Sequence, residues 1–249
     1  MDSLFLFSAG SANDNINKHL WVKGASLIIP QLNKLLEHTN YLFQITDMKS
    51  FDNDEAEVFA EILKNNKSYK FSPNNYYFLY SYIIKKLGGK NAVLNTLEIG
   101  IGTNNPTLLS TIGDNRRPGA SLYAFKEYLQ NSNIHGADID KDILFEEHRI
   151  KTCFVDQLDS NSFNEISKKF GPIKFDLIID NGLHSLGANF NTLLYALKNL
   201  NNNGWLVIED IQGITKWKAI DFILKSTNEY KTYIVNINSS THLYVINKL

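Results

Sequence analysis

The sequence predicts an α/β fold: a Rossmann-like, mostly parallel sheet ending in an antiparallel hairpin, with helices on both faces and a helical extension at the N-terminus. Three observations carry this. From about residue 90 onward, short apolar runs alternate with helix-length amphipathic segments, the pattern of βαβ units. The runs are continuous in Val, Ile and Leu rather than alternating, as expected of strands buried on both faces. The last two runs, "YKTYIVNI" and "THLYVINKL", are separated only by "NSS", too short for a helical crossover, so they must pair antiparallel.

Taken in order, the elements begin with helices. Between about residues 22 and 88 lie "LNKLLEHTNYLF", then "DNDEAEVFAEILKNN" with Asp52 or Asp54 as the expected cap, then "SPNNYYFLYSYIIKKLGG", opened by Ser72 and Pro73 and closed by Gly88. Strands follow at "VLNTLEIG" (93–100), "NIHGADI" (133–139), "IKTCFV" (150–155), "FDLIID" (175–180) and "GWLVIED" (204–210). The division expected is a helical cap over 1–88 and a ligand-binding domain over 89–249. With 249 residues and 43% hydrophobic content, the chain can bury one sizeable core.

Composition also excludes partners. Lys and Arg number 25 against 26 Asp and Glu, and no long basic run appears, which speaks against nucleic acid. No run reaches the ~18 apolar residues of a membrane span. An acid at position 2 and the lack of a basic stretch before "LFLFSAG" argue against a secretory signal. The single cysteine, Cys153, has no internal disulfide partner and reads as a packed strand residue. The expected location is the cytoplasm. Asparagines are frequent but scattered among hydrophobic periods, so they do not mark a disordered tract.

In an open α/β sheet, ligands bind beyond the carboxyl ends of the strands. The first such end reads "LEIGIGTNNP". Gly100 and Gly102 permit a tight turn and close approach to a ligand, and Glu98 places a carboxylate beside it. The next strand ends in Asp138, where a carboxylate can accept ribose hydroxyls, and the third ends in "FVDQ", offering Asp156 and the Gln157 amide to an adenine edge. After Gly102 a long polar insertion delays the next helix to about "PGASLYAF". No helix N-terminus therefore faces a pyrophosphate near the glycines, which disfavours NAD and suits a cofactor without phosphates, such as S-adenosylmethionine.

With these residues in view, "LEIGIG", "PGASLYAF", "IHGADID", "FDLIIDNGLHS" and "NNNGWLVIEDI", in this order, resemble the class I S-adenosylmethionine-dependent methyltransferases, and among them the macrocin and mycinamicin sugar O-methyltransferases, over about residues 70 to 247. The resemblance implies a cofactor site of Glu98, Gly100, Gly102, Ser121, Asp138, Asp156, Gln157 and Asp180. It also implies a sugar-bearing small-molecule acceptor, with a homo-oligomer left open.

At the fourth and fifth strand ends, Asp180, Asn181 and His184 meet Glu209 and Asp210. Adjacent carboxylates repel, so such a site must protonate one of them or hold a cation, and hard oxygen ligands select Mg²⁺, Ca²⁺ or Mn²⁺. The resemblance gives the same indication, with Asp180, Asn181, Glu209 and Asp210 as metal ligands. Asn181 stands where the family has a second acid, which weakens the cation's hold. His184 is the expected general base for a hydroxyl acceptor. Two rivals remain: a metal-independent methyltransferase, favoured by Asn181, and a nicotinamide oxidoreductase or non-catalytic nucleotide-binding module.

Overall fold

The computed structural model describes residues 28–36, 39, 41–42, 44–113, 116–211, 213–238 and 241–249. The residues argued on for a secretory signal lie outside them, whereas residues 28–36, which hold the start of the first expected helix, are helical. Among the described residues nine strands form one sheet: β1 (Ile45–Asp47), β2 (Asn95–Ile99), β3 (Asn133–Asp138), β4 (Glu146–Glu147), β5 (Ile150–Phe154), β6 (Phe175–Asp180), β7 (Leu200–Ile211), β8 (Tyr230–Asn236) and β9 (His242–Lys248). Their order across the sheet is β1-β8-β9-β7-β6-β2-β3-β5-β4.

The central pairs β7/β6, β6/β2, β2/β3 and β3/β5 are all parallel. The expected hairpin is present: β8 and β9 pair antiparallel, and β9 inserts antiparallel against β7. From β2 the chain first builds outward through β3 and β5, then returns to the other side through β6 and β7. The carboxyl ends of β2 and β6 therefore flank the point where strand order reverses, and a crevice opens there.

Helices cover both faces. On one lie α1 (Ala56–Asn65), α2 (Tyr77–Lys86) and α3 (Ala120–Tyr128); on the other, α4 (Asn164–Phe170), α5 (Leu186–Asn199) and α6 (Lys218–Ser226). The two-residue period of a strand is visible in the packing. Leu177 and Ile179 of β6 join Phe59, Leu79, Ile83 and Phe125 on the first face, and Ile178 joins Ile166, Leu193 and Trp217 on the second. The N-terminal helices thus share one continuous core with the sheet and with α3.

Three local readings are corrected. Residues 45–47, inside the stretch expected to be helical, form β1, which pairs parallel with β8 through Ile45↔Ile234; three residues are too few for a periodicity to show. Neither Asp52 nor Asp54 caps α1: the N-cap is Glu55, without a side-chain cap bond, and Asn53 Oδ1 accepts its N–H at 3.1 Å. The helix expected to open at Ser72 begins at Tyr77, after a turn in which the Tyr76 N–H donates to the Lys70 carbonyl at 3.0 Å. Its closing turn is as expected, with Gly88 at φ +107°. Among the described residues no helix is long and apolar enough to cross a membrane.

Candidate functional site

A cavity of about 760 Å³ lies over the carboxyl ends of the strands. Of the residues singled out in the sequence, Gly100, Gly102, Asp138, Asp156, Gln157, Asn181, His184 and Asp210 line it, whereas Glu98, Ser121, Asp180 and Glu209 lie behind its wall.

The glycine turn is fixed by the neighbouring strand. Gly100 has φ +87°, and a Cβ there would stand 2.3 Å from the Asn181 carbonyl oxygen, so the β2 and β6 loops cross at a distance that only glycine allows. Asp138 secures the same turn from β3. Its Oδ2 accepts the Ile101 and Gly102 N–H groups at 2.9 and 3.3 Å, and its Oδ1 that of Asp140 at 3.0 Å. Burial raises its pKa, and these backbone donors oppose the rise. Asp156 is buried at the end of the next strand and accepts the Leu158 N–H at 2.9 Å.

Asp180 has a different environment from the one its motif suggested. It is wholly buried; Gln157 Nε2 donates to its Oδ1 at 2.7 Å and Asn189 Nδ2 to its Oδ2 at 3.0 Å. Gln157 also donates to Thr192 Oγ1 at 2.9 Å and accepts the Leu183 N–H at 2.9 Å, so both ends of its amide are occupied. The network runs from Asp180 through Gln157 to the backbone beside His184. Gly182 lets it pass: a Cβ there would meet Gln157 Oε1 at 2.1 Å and displace that amide.

The carboxylates behind the cavity enclose a lysine. Lys70 is fully buried, with Nζ 2.6 Å from Glu209 Oε1 and 3.1 Å from Glu98 Oε1. Tyr69 donates to Glu209 Oε2 at 3.2 Å, Tyr80 donates to Glu209 Oε1, and Tyr76 donates to Asp210. Glu98 also accepts from Ser121 Oγ at 2.5 Å and Asn181 Nδ2 at 3.2 Å.

Burial alone would discharge Lys70, but Glu209 and Glu98 outweigh it and hold the ammonium above its ordinary pKa. Burial pushes Glu209 up to about 7, against the pull of Lys70 and with repulsion from Glu98 and Asp210 adding to the rise. Tyr69 and Tyr80 are pushed well above the usual phenol range by burial and by Glu209, so they remain donors. Asp180, Asn181, Glu209 and Asp210 therefore do not converge on one point. Among the described residues no three His, Cys, Asp or Glu side chains are grouped as metal ligands.

His184 sits in the left-handed region at φ +52°, and Asp210 at φ +54°; strained backbone of this kind concentrates at functional sites. His184 Nδ1 lies 3.3 Å from the Glu209 carbonyl oxygen. A carbonyl only accepts, so Nδ1 carries the proton in the neutral ring and Nε2 keeps its lone pair. Nε2 lies 4.0 Å from Asp210 Oδ2. The next residue, Ser185, caps α5 by accepting the Ala188 N–H at 3.3 Å, which fixes where the histidine loop ends.

Sequence reasoning missed Lys70 and the roles of Tyr69, Tyr76 and Tyr80. Their stretch, "YKFSPNNYYFLYSY", reads as helix packing or a lid, and its signal was the one lysine within a run of aromatics. The inward-facing Asn189 and Thr192 of α5 were likewise unread. Trp205 and Trp217 both belong to the core.

No family model matches the chain. Its sequence is 31% identical over 131 residues to the 8-demethyl-8-α-L-rhamnosyl tetracenomycin-C 2'-O-methyltransferase of Streptomyces olivaceus, a match covering 52% of this chain and 32% of that protein. It is 32% identical over 123 residues to the mycinamicin VI 2''-O-methyltransferase of Micromonospora griseorubida, covering 49% and 28%. The chain thus spans about a third of the length of these relatives. Among solved structures, the MycE methyltransferase of the mycinamycin biosynthetic pathway, in complex with Mg and SAH, superposes with a TM-score of 0.57 at 22% identity, over 76% of this chain and 54% of that one.

Proposed function

We propose that this chain, built on the class I S-adenosylmethionine-dependent methyltransferase fold, transfers a methyl group from S-adenosylmethionine to a hydroxyl of a sugar or sugar-bearing small molecule. The observation that carries the reading is His184. Its Nδ1 is turned to a backbone carbonyl and its Nε2 left basic beside Asp210, in the wall of the cavity that also contains the glycine turn.

S-adenosylmethionine supplies a methyl group on a positive sulfonium, whose bond to sulfur breaks as the acceptor oxygen takes the methyl. The chain's residues do the rest. The Gly100 turn lets the cofactor lie against backbone, and Asp138 and Asp156 offer carboxylates to its hydroxyl and amino groups. His184 Nε2 takes the hydroxyl proton as oxygen attacks, and Asp210 stabilises the imidazolium that forms. Asp180 and Gln157 act through the loop they hold and set where His184 stands. Most of the rate then comes from orientation.

The two relatives described above are O-methyltransferases, one of them named for a rhamnosyl-bearing substrate, which supports a glycosylated acceptor. MycE was solved with Mg, so a divalent cation enters the same reading. Of the four residues that the sequence offers it, Asn181 and Asp210 line the cavity, so a cation would be held on that side.

The test is calorimetric titration with S-adenosylhomocysteine, followed by transfer of labelled methyl to a rhamnosylated polyketide. His184→Ala is expected to keep cofactor affinity and to lose about 10²- to 10⁴-fold in kcat. Full activity in that variant would remove the base from the reading. Absence of cofactor binding in the unaltered protein would remove the reading itself.

A further inference from the structure

Lys70 is a buried charge that this chemistry leaves unused. It lies between α1 and α2, fully buried, and its ammonium touches carboxylates from two different strand ends, Glu98 of β2 and Glu209 of β7, the strands on either side of β6. The rings of Tyr69, Tyr80 and Tyr76 surround it at 5.2, 5.5 and 6.0 Å from Nζ. Two buried carboxylates this close to one point require a positive charge between them; without one, each would pay the cost of an uncompensated buried ion.

The remaining contacts are those of a filled site. Glu209 accepts from Lys70, Tyr69 and Tyr80, which leaves its oxygens little to offer a metal. Asn181 turns its amide nitrogen, a donor, toward Glu98 at 3.2 Å, where a cation would require the amide oxygen.

We infer that Lys70 is a built-in counter-ion that takes a divalent cation's place at the Glu98–Glu209 pair, so that cofactor binding and methyl transfer proceed without metal and an added cation is confined to the cavity side of Asp210. The assay rests on the methyl-transfer reading; the ion chemistry does not.

The experiment compares metal-stripped protein in EDTA with the same protein in Mg²⁺, measuring S-adenosylhomocysteine affinity and methyl transfer. It also titrates Mn²⁺ by electron paramagnetic resonance in the unaltered protein and in Lys70→Ala. The unaltered protein should keep both affinity and rate within about twofold and bind Mn²⁺ no tighter than about millimolar. Lys70→Ala, which frees the two carboxylates, should gain a tighter Mn²⁺ site, and Mg²⁺ should raise its melting temperature.

An unaltered protein that loses transfer on chelation and recovers it with Mg²⁺, or that binds one Mn²⁺ in the micromolar range, would overturn the inference. If Lys70→Ala does not fold, the Mn²⁺ titration of the unaltered protein decides alone. Failure to bind S-adenosylhomocysteine in either buffer would overturn the methyltransferase reading instead, while the Mn²⁺ titration would still judge Lys70.

Discussion

At the scale of single residues, the site mixes positions that sequence order makes visible with others that only folding assembles. His184, Asp138 and Asp210 stand at or just beyond strand ends in short motifs, and a sequence reading finds them because an apolar run leads into each motif. Lys70 is more than a hundred residues from Glu209, and a lysine among tyrosines carries no spacing that points to a carboxylate. Buried polar residues of this kind are set by three-dimensional pairing. His135 is a second example. It lies buried against Phe170 and Phe175, with Nδ1 2.9 Å from the Thr96 carbonyl, and burial lowers its pKa below the ordinary 6.5. The unfolded chain therefore takes up a proton at a pH where the folded one does not. The stability that comes from keeping this ring neutral is complete above pH 6.5 and declines as pH falls toward the depressed folded value. Melting temperatures measured from pH 8 to 5 should fall more steeply for the unaltered protein than for His135→Gln; parallel curves would contradict this.

At the scale of elements, β2, β3, β5, β6, β7 and the C-terminal hairpin were legible because long apolar runs and a three-residue connection leave few alternatives, whereas the short β1 and β4 were not. The helix caps were not, since Asn53 rather than an aspartate shapes the start of α1. The least negotiable element is the loop after β2. Gly100 lies against the Asn181 carbonyl, and its positive φ adds strain for any L-residue. Gly100→Ala must therefore push the β6 loop away, and with it the segment that carries His184. The expected result is a destabilisation of about 2–4 kcal/mol and loss of cofactor affinity together, measured by denaturant unfolding and calorimetry. A variant with native stability and native affinity would mean that the loops separate freely.

At the scale of the whole molecule, the helices expected to form a cap are one wall of the core. Phe59, Leu63, Leu79, Tyr80 and Ile83 pack with Leu177, Val207 and Val245 of the sheet. Removal of residues 1–88 would strip that wall and the ammonium from the Glu98–Glu209 pair. The truncated chain should be insoluble or lack a cooperative melting transition, whereas a soluble fragment that melts sharply would show that the sheet stands on its own other face. The pairing of β1 has a further consequence, for synthesis. Ile45 finds its partner at Ile234, so a strand made early is completed among the last, and a growing chain must carry it unpaired while the central sheet assembles. Ribosome-bound nascent chains of increasing length should therefore gain protease resistance at the outer edge of the sheet only once residue 234 has cleared the exit tunnel.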